Sequence, residues 1–464
     1  MTNSRTGAEA ITVIRGRGRV SALGLALPTA SEAPASPFTT HPTGVPVAAL
    51  PAPAEAAIAE LRRHPSYRQL DRTVLLALLA ARQATAQAGW SAGGELSVGS
   101  CQLSVASDDD SAAGIAQAAT APDASAAVLN PGNASNHSNA ATSHSLPTTN
   151  NQQPTTNNQQ PTTQLAVSIG SSRGATGRLE EFHAGFLAEG SVPVAASPLT
   201  TLGNVASWVA YDAGQEGGAA LSHSSTCSSA FQALGNARAW LKAGMATRFL
   251  AGGTEAPLTN FTLAQMRAIG IYSPLAAADW PCRPGAGRPS SFVLGEGAAV
   301  FALEQLSAAQ AAAETGPLLV LAGVGFGFEA IGSKTGLSLE GQHFQQAMRE
   351  ALAQASLTPT DIDAVVLHSP GTPAGDAAER AALRAIFGPT LAPLLSNKWL
   401  VGHTLGASAA LSLDFACHVL ETQQWPSAPF ATDLASAVDK PIRRILVNAA
   451  GFGGNAASAV VELR

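Results

Sequence analysis

The chain has 464 residues, of which 46% are hydrophobic and 12% are charged, so it holds enough apolar material for a large buried core. The formal net charge is −6, which argues against a broad basic surface for nucleic acid. The N-terminus lacks the apolar stretch of a signal peptide, and no run of about 18 apolar residues predicts a membrane span. The 4 cysteines lie far apart without C-x-x-C spacing, which disfavours a disulfide framework or a zinc site and predicts a cytoplasmic protein.

Strands and helices are predicted to alternate along the chain. Short apolar runs predict buried strands at residues 11–14, 165–169, 249–253 and 364–367. The Gly-Arg-Gly sequence at residues 16–18 predicts a turn directly after the first strand. Residues 72–89, which are rich in Leu and Ala, predict a helix. This alternation favours an α/β architecture in which helices cover a sheet.

Two halves of the chain are predicted to begin alike. The segment TVIRGRG near the N-terminus is weakly similar to LVLAGVG, which follows Leu318. We therefore divide the chain into residues 1–317 and 318–464. A low-complexity insertion is predicted at about residues 104–163, which contain the repeat NNQQPTTNNQQPTT. Such a polar segment cannot bury a core, and we interpret it as a disordered surface spacer.

Cys227 stands at the start of a predicted buried helix. Apolar residues after it fall on one helical face, among them Ala230, Phe231 and Leu234. A helix N-terminus favours negative charge, so the thiol is expected to ionise more easily than a free cysteine. On this evidence alone, a buried cysteine without chemistry is the favoured interpretation.

Two histidines follow in the second half of the chain. Residues 365–367 are a short apolar strand that leads into His368 and the turn HSPGTPAGD. The segment SNKWLVGHTLGASAAL places Lys398 and His403 before a helix of small residues, and VNAAGFGGNAAS forms a Gly-rich turn. For either histidine alone, a structural role is the favoured interpretation. Together with a cysteine at a helix start, they indicate a catalytic site.

These segments resemble the β-ketoacyl-acyl carrier protein synthases of the thiolase superfamily. TCSSA, HSPGTPAGD, KWLVGHTLGA and GFGG stand in the order of the family motifs, and LAGGTEAPLT, FVLGEGAAVFALE and GLSLEG extend the similarity over nearly the whole chain outside the insertion. The elongating synthases with a Cys-His-His site match best. The resemblance implies an α/β thiolase-like fold, with two pseudo-symmetric halves in five layers (αβαβα) and the site at their junction.

The resemblance also implies an enzyme, an acyltransferase of the 3-oxoacyl-[acyl-carrier-protein] synthase type. Cys227 would attack an acyl thioester and hold the acyl chain. His368 and His403 would donate hydrogen bonds to malonyl-acyl carrier protein as it loses carbon dioxide, and the resulting enolate would attack the acyl group in a decarboxylative Claisen condensation. Fatty acid, polyketide and aryl-polyene-type biosynthesis all remain open as the pathway.

Supporting residues follow from the same motifs. The backbone N–H groups of Cys227 and Phe452 would bind the oxyanion, and Phe452, beside Gly453, would gate the pocket. The remaining matches are Lys398 paired with Glu379 to support the site, Thr372 hydrogen-bonded to the pantetheine arm, and Leu202 lining the acyl tunnel.

The resemblance implies particular partners and cofactors as well. An acyl carrier protein would deliver both substrates on its phosphopantetheine, so no metal or redox cofactor is expected in the chain itself. The family is dimeric, which predicts a homodimer or a heterodimer with a related synthase subunit. Neither nucleic acid nor a membrane span is expected.

Some positions depart from the family pattern, and further functions stay open. Ser369-Pro370 replaces Gly-Thr, residues 285–291 replace the usual loop, and Asn455-Ala456 replaces Thr-Asn.

The main rival to a condensing enzyme is a non-condensing partner subunit that resembles a chain-length factor, although such proteins lack the nucleophile. A thiolase, or a structural protein with Cys227 in its core, is also compatible with parts of the pattern. The acyl chain length and type are not predicted.

Overall fold

The computed structural model describes residues 10–27, 35–90, 164–215, 217–330, 332 and 338–464. The predicted insertion at residues 104–163 lies outside the described residues, so its interpretation as a spacer stays a prediction.

Strands and helices alternate along the described chain, as the apolar runs predicted. The strands are β1 (Ile11–Val20), β2 (Thr39–Thr40), β3 (Pro46–Val47), β4 (Leu165–Gly170), β5 (Ala220–His223), β6 (Arg248–Glu255), β7 (Gly297–Leu306), β8 (Leu319–Phe328), β9 (Ala364–Val366), β10 (Leu394–Leu395), β11 (Arg444–Gly451) and β12 (Asn455–Leu463). The helices are α1 (Ala52–Arg63), α2 (Arg72–Gln87), α3 (Thr176–Glu189), α4 (Ala196–Thr200), α5 (Asn204–Asp212), α6 (Ser229–Lys242), α7 (Asn260–Ala268), α8 (Ala308–Ala313), α9 (Gln342–Ala355), α10 (Pro373–Phe387), α11 (Lys398–Val401) and α12 (Ser408–Thr422).

The main sheet consists of two sets of strands with the same order and directions. The first set runs β5-β4-β6-β7-β1, and the second runs β10-β9-β11-β12-β8. In each set the first three strands are parallel and the last two pair antiparallel. The sets meet where Val13 of β1 pairs with Val320 of β8. The chain therefore forms two related α/β halves, while the boundary at residues 317 and 318 stays a prediction.

Helices fill three layers around the two sets of strands. The middle layer holds α6 and α12, which contact strands of both sets. On one outer side α2 and α5 pack against the first set, and on the other side α9 packs against the second set with α10 beside it. The three layers coincide with the three largest clusters of buried apolar residues. This arrangement confirms the predicted five-layer α/β fold.

One local prediction was wrong. The Gly-Arg-Gly sequence does not turn, because β1 continues through it to Val20. A Cβ on Gly16 would lie 2.7 Å from the backbone nitrogen of Ala88, and a Cβ on Gly18 would lie 2.9 Å from that of Ala84. These glycines therefore permit the close approach of α2 to the strand.

Candidate active site

Cys227 lies in a tight turn between β5 and α6, two residues before the helix begins at Ser229. The preceding residue, Thr226, has a φ of 55°, a left-handed conformation that a β-branched residue adopts only when its surroundings fix it. The hydroxyl of Ser229 accepts a hydrogen bond from the Ser225 N–H at 2.9 Å and donates one to the Thr226 carbonyl. The turn is thus held rigidly and presents the Cys227 side chain in one direction.

The end of β11 lies against this turn. A Cβ on Gly451 would stand 2.8 Å from the Cys227 nitrogen and would overlap the Thr226 hydroxyl. Glycine at this position therefore brings Phe452, the next residue, beside the cysteine.

Glu379 fixes the loop that carries His368. One carboxylate oxygen accepts hydrogen bonds from the His368 N–H at 2.9 Å and the Asn448 side-chain amide at 3.1 Å. The other accepts from the N–H of Ser369 at 2.7 Å and from its hydroxyl at 2.8 Å. Because both oxygens are used and Glu379 is fully buried, this carboxylate sets the position of the histidine loop.

His403 has a defined tautomer. Its Nδ1 accepts a hydrogen bond from the Leu405 N–H at 3.1 Å, so in the neutral ring the proton is on Nε2. Burial, and then the charge of Lys398, lowers the pKa of His403 to about 3. The same two causes hold the pKa of His368 well below its usual range. Both imidazoles are therefore neutral at pH 7.

One cavity of about 210 Å³ brings the predicted catalytic residues together. Cys227, His368 and His403 all line it, and so do Thr372 and Phe452. The ring centroids of the two histidines are 5.3 Å apart, and their planes are nearly perpendicular at 85°. A substrate in the cavity would thus face a thiol and two neutral imidazoles.

The rest of the cavity wall is apolar, and sequence reasoning did not find it. Its larger side chains are Met266, Ile269, Ile271, Phe292, Phe344 and Leu405, beside smaller residues near the two motifs of the second half. These side chains come from four separate parts of the chain, so no local pattern connects them. Their chemistry suits an acyl chain or another apolar group.

The expectation that Cys227 ionises easily is wrong. Burial, and then the negative charge of Glu255, raises the pKa of the Cys227 thiol to about 12, while Lys398 and Arg173 oppose this shift. The side chain is only 7% exposed. The cost of removing a thiolate from water exceeds what the nearby cations Lys398 and Arg173 supply.

Glu255 is a second buried carboxylate that the sequence analysis missed. It ends β6 and accepts hydrogen bonds from the backbone N–H groups of Ser172 at 2.6 Å, Arg173 at 3.1 Å and Gly406 at 2.9 Å. Burial raises its pKa to about 7. Glu255 thereby ties the loop after β4 to the segment after His403. In the sequence, Glu255 is marked only as a single carboxylate at the end of the apolar segment LAGGTE.

Lys398 is buried near the site without the predicted direct partner. Burial lowers its pKa to about 8, and the negative charge of Glu379 opposes that shift. Within the described part of the chain, Lys398 and Glu379 form no salt bridge; the cation nearest to the Glu379 carboxylate is Arg380, at 3.8 Å. The predicted direct pairing is corrected accordingly. The Glu379 oxygens accept hydrogen bonds from two backbone N–H groups, the Ser369 hydroxyl and the Asn448 amide instead.

The remaining predicted site residues lie in different places. Thr372 caps the N-terminus of α10, where its hydroxyl accepts a hydrogen bond from the Gly375 N–H at 3.3 Å. Phe452 is 38% exposed at the cavity, and Gly453 follows it with a φ of 86°. Leu202 is outside the wall of this cavity, because it lies in the turn before α5 and packs toward Gly174. The prediction that Leu202 lines an acyl tunnel stays a prediction.

Two kinds of feature are absent from the residues that the structure describes. No helix among them is long and apolar enough to cross a membrane. No group of three or more His, Cys, Asp or Glu side chains among them is placed to hold a metal ion.

Comparison with known proteins gives the family. The family model of the β-ketoacyl synthase N-terminal domain matches residues 151–309, and that of the C-terminal domain matches residues 318–429. A putative polyketide β-ketoacyl synthase 1 from Streptomyces cyaneus is 32% identical over 320 residues, which cover 63% of this chain and 73% of that relative. The chain belongs to the β-ketoacyl synthase family. The predicted family and its acyltransferase class are thus confirmed.

Further similar proteins agree with this assignment. A 3-oxoacyl-[acyl-carrier-protein] synthase 2 from Staphylococcus aureus is 30% identical over 249 residues, covering 51% of this chain and 59% of that relative. Among solved structures, a β-ketoacyl synthase from Burkholderia phymatum has a TM-score of 0.72 at 21% identity. The match covers 98% of this chain and 99% of that chain. A ketosynthase in complex with its chain length factor from Xenorhabdus doucetiae has a TM-score of 0.67 at 19% identity over 100% of both chains. These structures confirm the thiolase-like fold of this β-ketoacyl synthase.

Proposed function

We propose that this β-ketoacyl synthase is a 3-oxoacyl-[acyl-carrier-protein] synthase. It joins an acyl chain held on Cys227 to the enolate formed from malonyl-acyl carrier protein. The observation that carries the proposal is that a thiol and two neutral imidazoles line one cavity. The Staphylococcus relative bears the name of this activity.

In the first step the Cys227 sulfur attacks the carbonyl carbon of the acyl thioester. Because the pKa of Cys227 is about 12, the thiol loses its proton as the carbon–sulfur bond forms, and the departing carrier thiolate takes up that proton. The backbone N–H groups of Cys227 and Phe452 are the proposed donors to the oxyanion. The close approach at Gly451 supports this role, because it holds the two backbones side by side.

In the second step malonyl-acyl carrier protein loses carbon dioxide. The electron pair of the broken carbon–carbon bond passes to the thioester oxygen, and hydrogen bonds from the two histidines stabilise the enolate. His403 suits this role because its Nε2 carries the proton. The enolate carbon then attacks the acyl carbonyl on Cys227, and the Cys227 thiolate leaves, which releases the 3-oxoacyl product on the carrier. The thiolate takes up a proton from water and so returns to the thiol.

A thiolase and a non-condensing partner subunit have less support. A thiolase would need a second cysteine as a base, and Cys282 and Cys417 are both fully buried and do not line the cavity. A chain-length-factor-like subunit would lack the nucleophile, whereas Cys227 is present beside both histidines. The partner-subunit function is an outcome of the experiment below.

The proposal includes partners and location. Acyl carrier protein would supply both thioesters, and its phosphopantetheine would reach the cavity past Thr372, so no resident cofactor is needed. A homodimer or a heterodimer with a related subunit is part of the same proposal. Solved relatives include a ketosynthase with its chain length factor and one with an acyl-carrier protein. We place the protein in the cytoplasm, in keeping with the three free cysteines of the described chain.

A reconstituted assay tests the function. Purified protein is mixed with acyl carrier protein loaded with acyl groups of different lengths and with malonyl-acyl carrier protein, and the product is identified by mass spectrometry. Wild type is expected to form the 3-oxoacyl product, and Cys227→Ala to lose at least about 10³-fold in rate because the nucleophile is gone. Cys417→Ala, in the buried helix α12 away from the cavity, is the matched control and is expected to retain activity.

Two results would oppose the proposal. Carbon dioxide release by wild type without condensation would favour the non-condensing partner subunit. Equal product formation by wild type and Cys227→Ala would remove the cysteine from the mechanism.

A further inference from the structure

Arg380 is a buried cation that none of the predicted roles includes. It follows Glu379 on α10, and only 7% of its surface is exposed. Its guanidinium binds Asp433 with two hydrogen bonds, Nε to Oδ2 at 2.6 Å and Nη2 to Oδ1 at 2.8 Å. Such a two-point contact fixes the orientation of the guanidinium plane.

The third guanidinium nitrogen reaches the histidine loop. Nη1 of Arg380 donates to the Ser369 hydroxyl at 2.5 Å, and that hydroxyl donates to Glu379 at 2.8 Å. Glu379 in turn accepts the backbone N–H of His368 at 2.9 Å. A continuous path of hydrogen bonds therefore runs from Asp433 through Arg380, Ser369 and Glu379 to His368.

Arg380 also compensates the charge of Glu379. A fully buried carboxylate is costly unless it is paired, and the predicted partner, Lys398, forms no salt bridge with it in the described chain. The Arg380 guanidinium lies 3.8 Å from the Glu379 carboxylate. Loss of this cation would remove the positive charge closest to the carboxylate that positions His368 and leave only the more distant Lys398.

Two departures from the family motifs meet at Arg380. One is Ser369, which supplies the hydroxyl between Arg380 and Glu379 in place of glycine. The other is the altered loop at residues 285–291, where a Cβ on Gly285 would stand 3.1 Å from Arg380 Nη2 and 2.8 Å from the Thr432 hydroxyl. Ser369 thus belongs to the hydrogen-bonded network of Arg380, and glycine at position 285 leaves room beside that network.

We propose that Arg380, held by Asp433, is a positioning residue that orients His368 through Ser369 and Glu379 and thereby controls the decarboxylation step. Arg380 does not line the cavity and touches no reacting group. The inference rests on the proposed function for its kinetic consequence. The positioning itself is a property of the fold and is measurable without turnover.

The kinetic test separates the two partial reactions in the full-length protein. Acyl transfer to Cys227 is followed by protein mass spectrometry, and decarboxylation by carbon dioxide release from malonyl-acyl carrier protein. Arg380→Met is expected to slow decarboxylation by about 10- to 100-fold and to change acyl transfer by less than about twofold, because only a displaced His368 is affected. Arg380→Lys is expected to recover part of the loss, since lysine keeps the charge but lacks the planar fork.

Two further variants distinguish a positioning role of Arg380 from a general disturbance of helix α10. Arg384→Met changes the same residue type one turn later on α10, where the side chain is exposed, and is expected to leave both steps unchanged. Ser369→Ala removes the connecting hydroxyl. If Arg380 acts through Ser369, the double variant Arg380→Met/Ser369→Ala is expected to be no slower than the slower single variant.

Amide hydrogen exchange provides the readout that needs no substrate. Faster exchange of the His368 and Ser369 amides in Arg380→Met and Ser369→Ala, but not in Arg384→Met, supports the proposal. Equal losses in both partial reactions, additive effects in the double variant, or unchanged exchange at residues 368–369 would each overturn it.

If wild type shows neither partial reaction, the proposed function fails, and the exchange comparison still decides the positioning role. If Arg380→Met does not fold, Arg380→Lys and Ser369→Ala carry the same comparison.

Discussion

Burial is the main cause of the charge states around the cavity. It raises the pKa of Cys227 to about 12, lowers that of His403 to about 3, and lowers that of Lys398 to about 8. At neutral pH the nucleophile is therefore a thiol, and both histidines are uncharged donors. Negative charge on the reacting groups develops only as a substrate reacts, and fixed donors in the cavity stabilise it there.

The raised pKa of Cys227 predicts how the thiol reacts with an alkylating agent. Only the thiolate reacts, so the rate of labelling by iodoacetamide is expected to be low at pH 7 and to rise without a plateau to at least pH 10, roughly tenfold per pH unit. The measurement is the labelling rate of the peptide that contains Cys227, by mass spectrometry. A plateau below about pH 8 would mean that the helix N-terminus and the cations outweigh burial after all.

At the level of elements, the contact between β11 and the nucleophile turn is the tightest constraint on the site. A Cβ at Gly451 would overlap the Thr226 hydroxyl, and Thr226 is already in a left-handed conformation. Any substitution here must move either Phe452 or Cys227. Either movement separates the two backbone N–H groups that are proposed to bind the oxyanion.

Gly451→Ala is therefore expected to reduce condensation by about 10-fold or more, since a displacement of about 1 Å at a reacting centre has effects of that size. Steady-state kinetics on acyl- and malonyl-acyl carrier protein measure this. Gly185→Ala is the matched control, because it lies within α3 with no atom within 4 Å of the added Cβ, and it is expected to be neutral. Activity of Gly451→Ala close to that of wild type would contradict the proposed geometry.

Elements with a strong local pattern were predictable from the sequence. β4, β6, β9 and α2 were expected within a few residues of where they lie, because apolar runs and helical periodicity depend on neighbouring residues alone. Cys227 and both histidines were found through motifs that are also local. The extension of β1 through Gly16 was not predictable, since the reason for it lies in a helix far along the chain.

Features that depend on distant contacts were missed or mistaken. The apolar wall of the cavity and the pairing of Glu379 with Arg380 depend on segments that meet only in the folded chain. Ionisation of Cys227 was misjudged because helix position is visible in a sequence, whereas burial of the side chain is not.

At the scale of the whole molecule, the site exists only where the two halves meet. Cys227 precedes α6, which packs in the middle layer, and His403 precedes α12, which packs beside it. His368 follows β9 in the second set of strands. The middle layer therefore joins the nucleophile of one half to the histidines of the other. The two sets of strands fix the positions of these three residues.

The most direct test of this account is a single-turnover experiment on the acyl enzyme. Wild type is loaded with a stoichiometric acyl-acyl carrier protein, the site of the acyl group is identified by peptide mass spectrometry, and malonyl-acyl carrier protein is then added. The account predicts an acyl group on Cys227 that disappears as the 3-oxoacyl product, longer by two carbons, forms on the carrier. An acyl group on another residue, or one on Cys227 that malonyl-acyl carrier protein does not discharge, would contradict it.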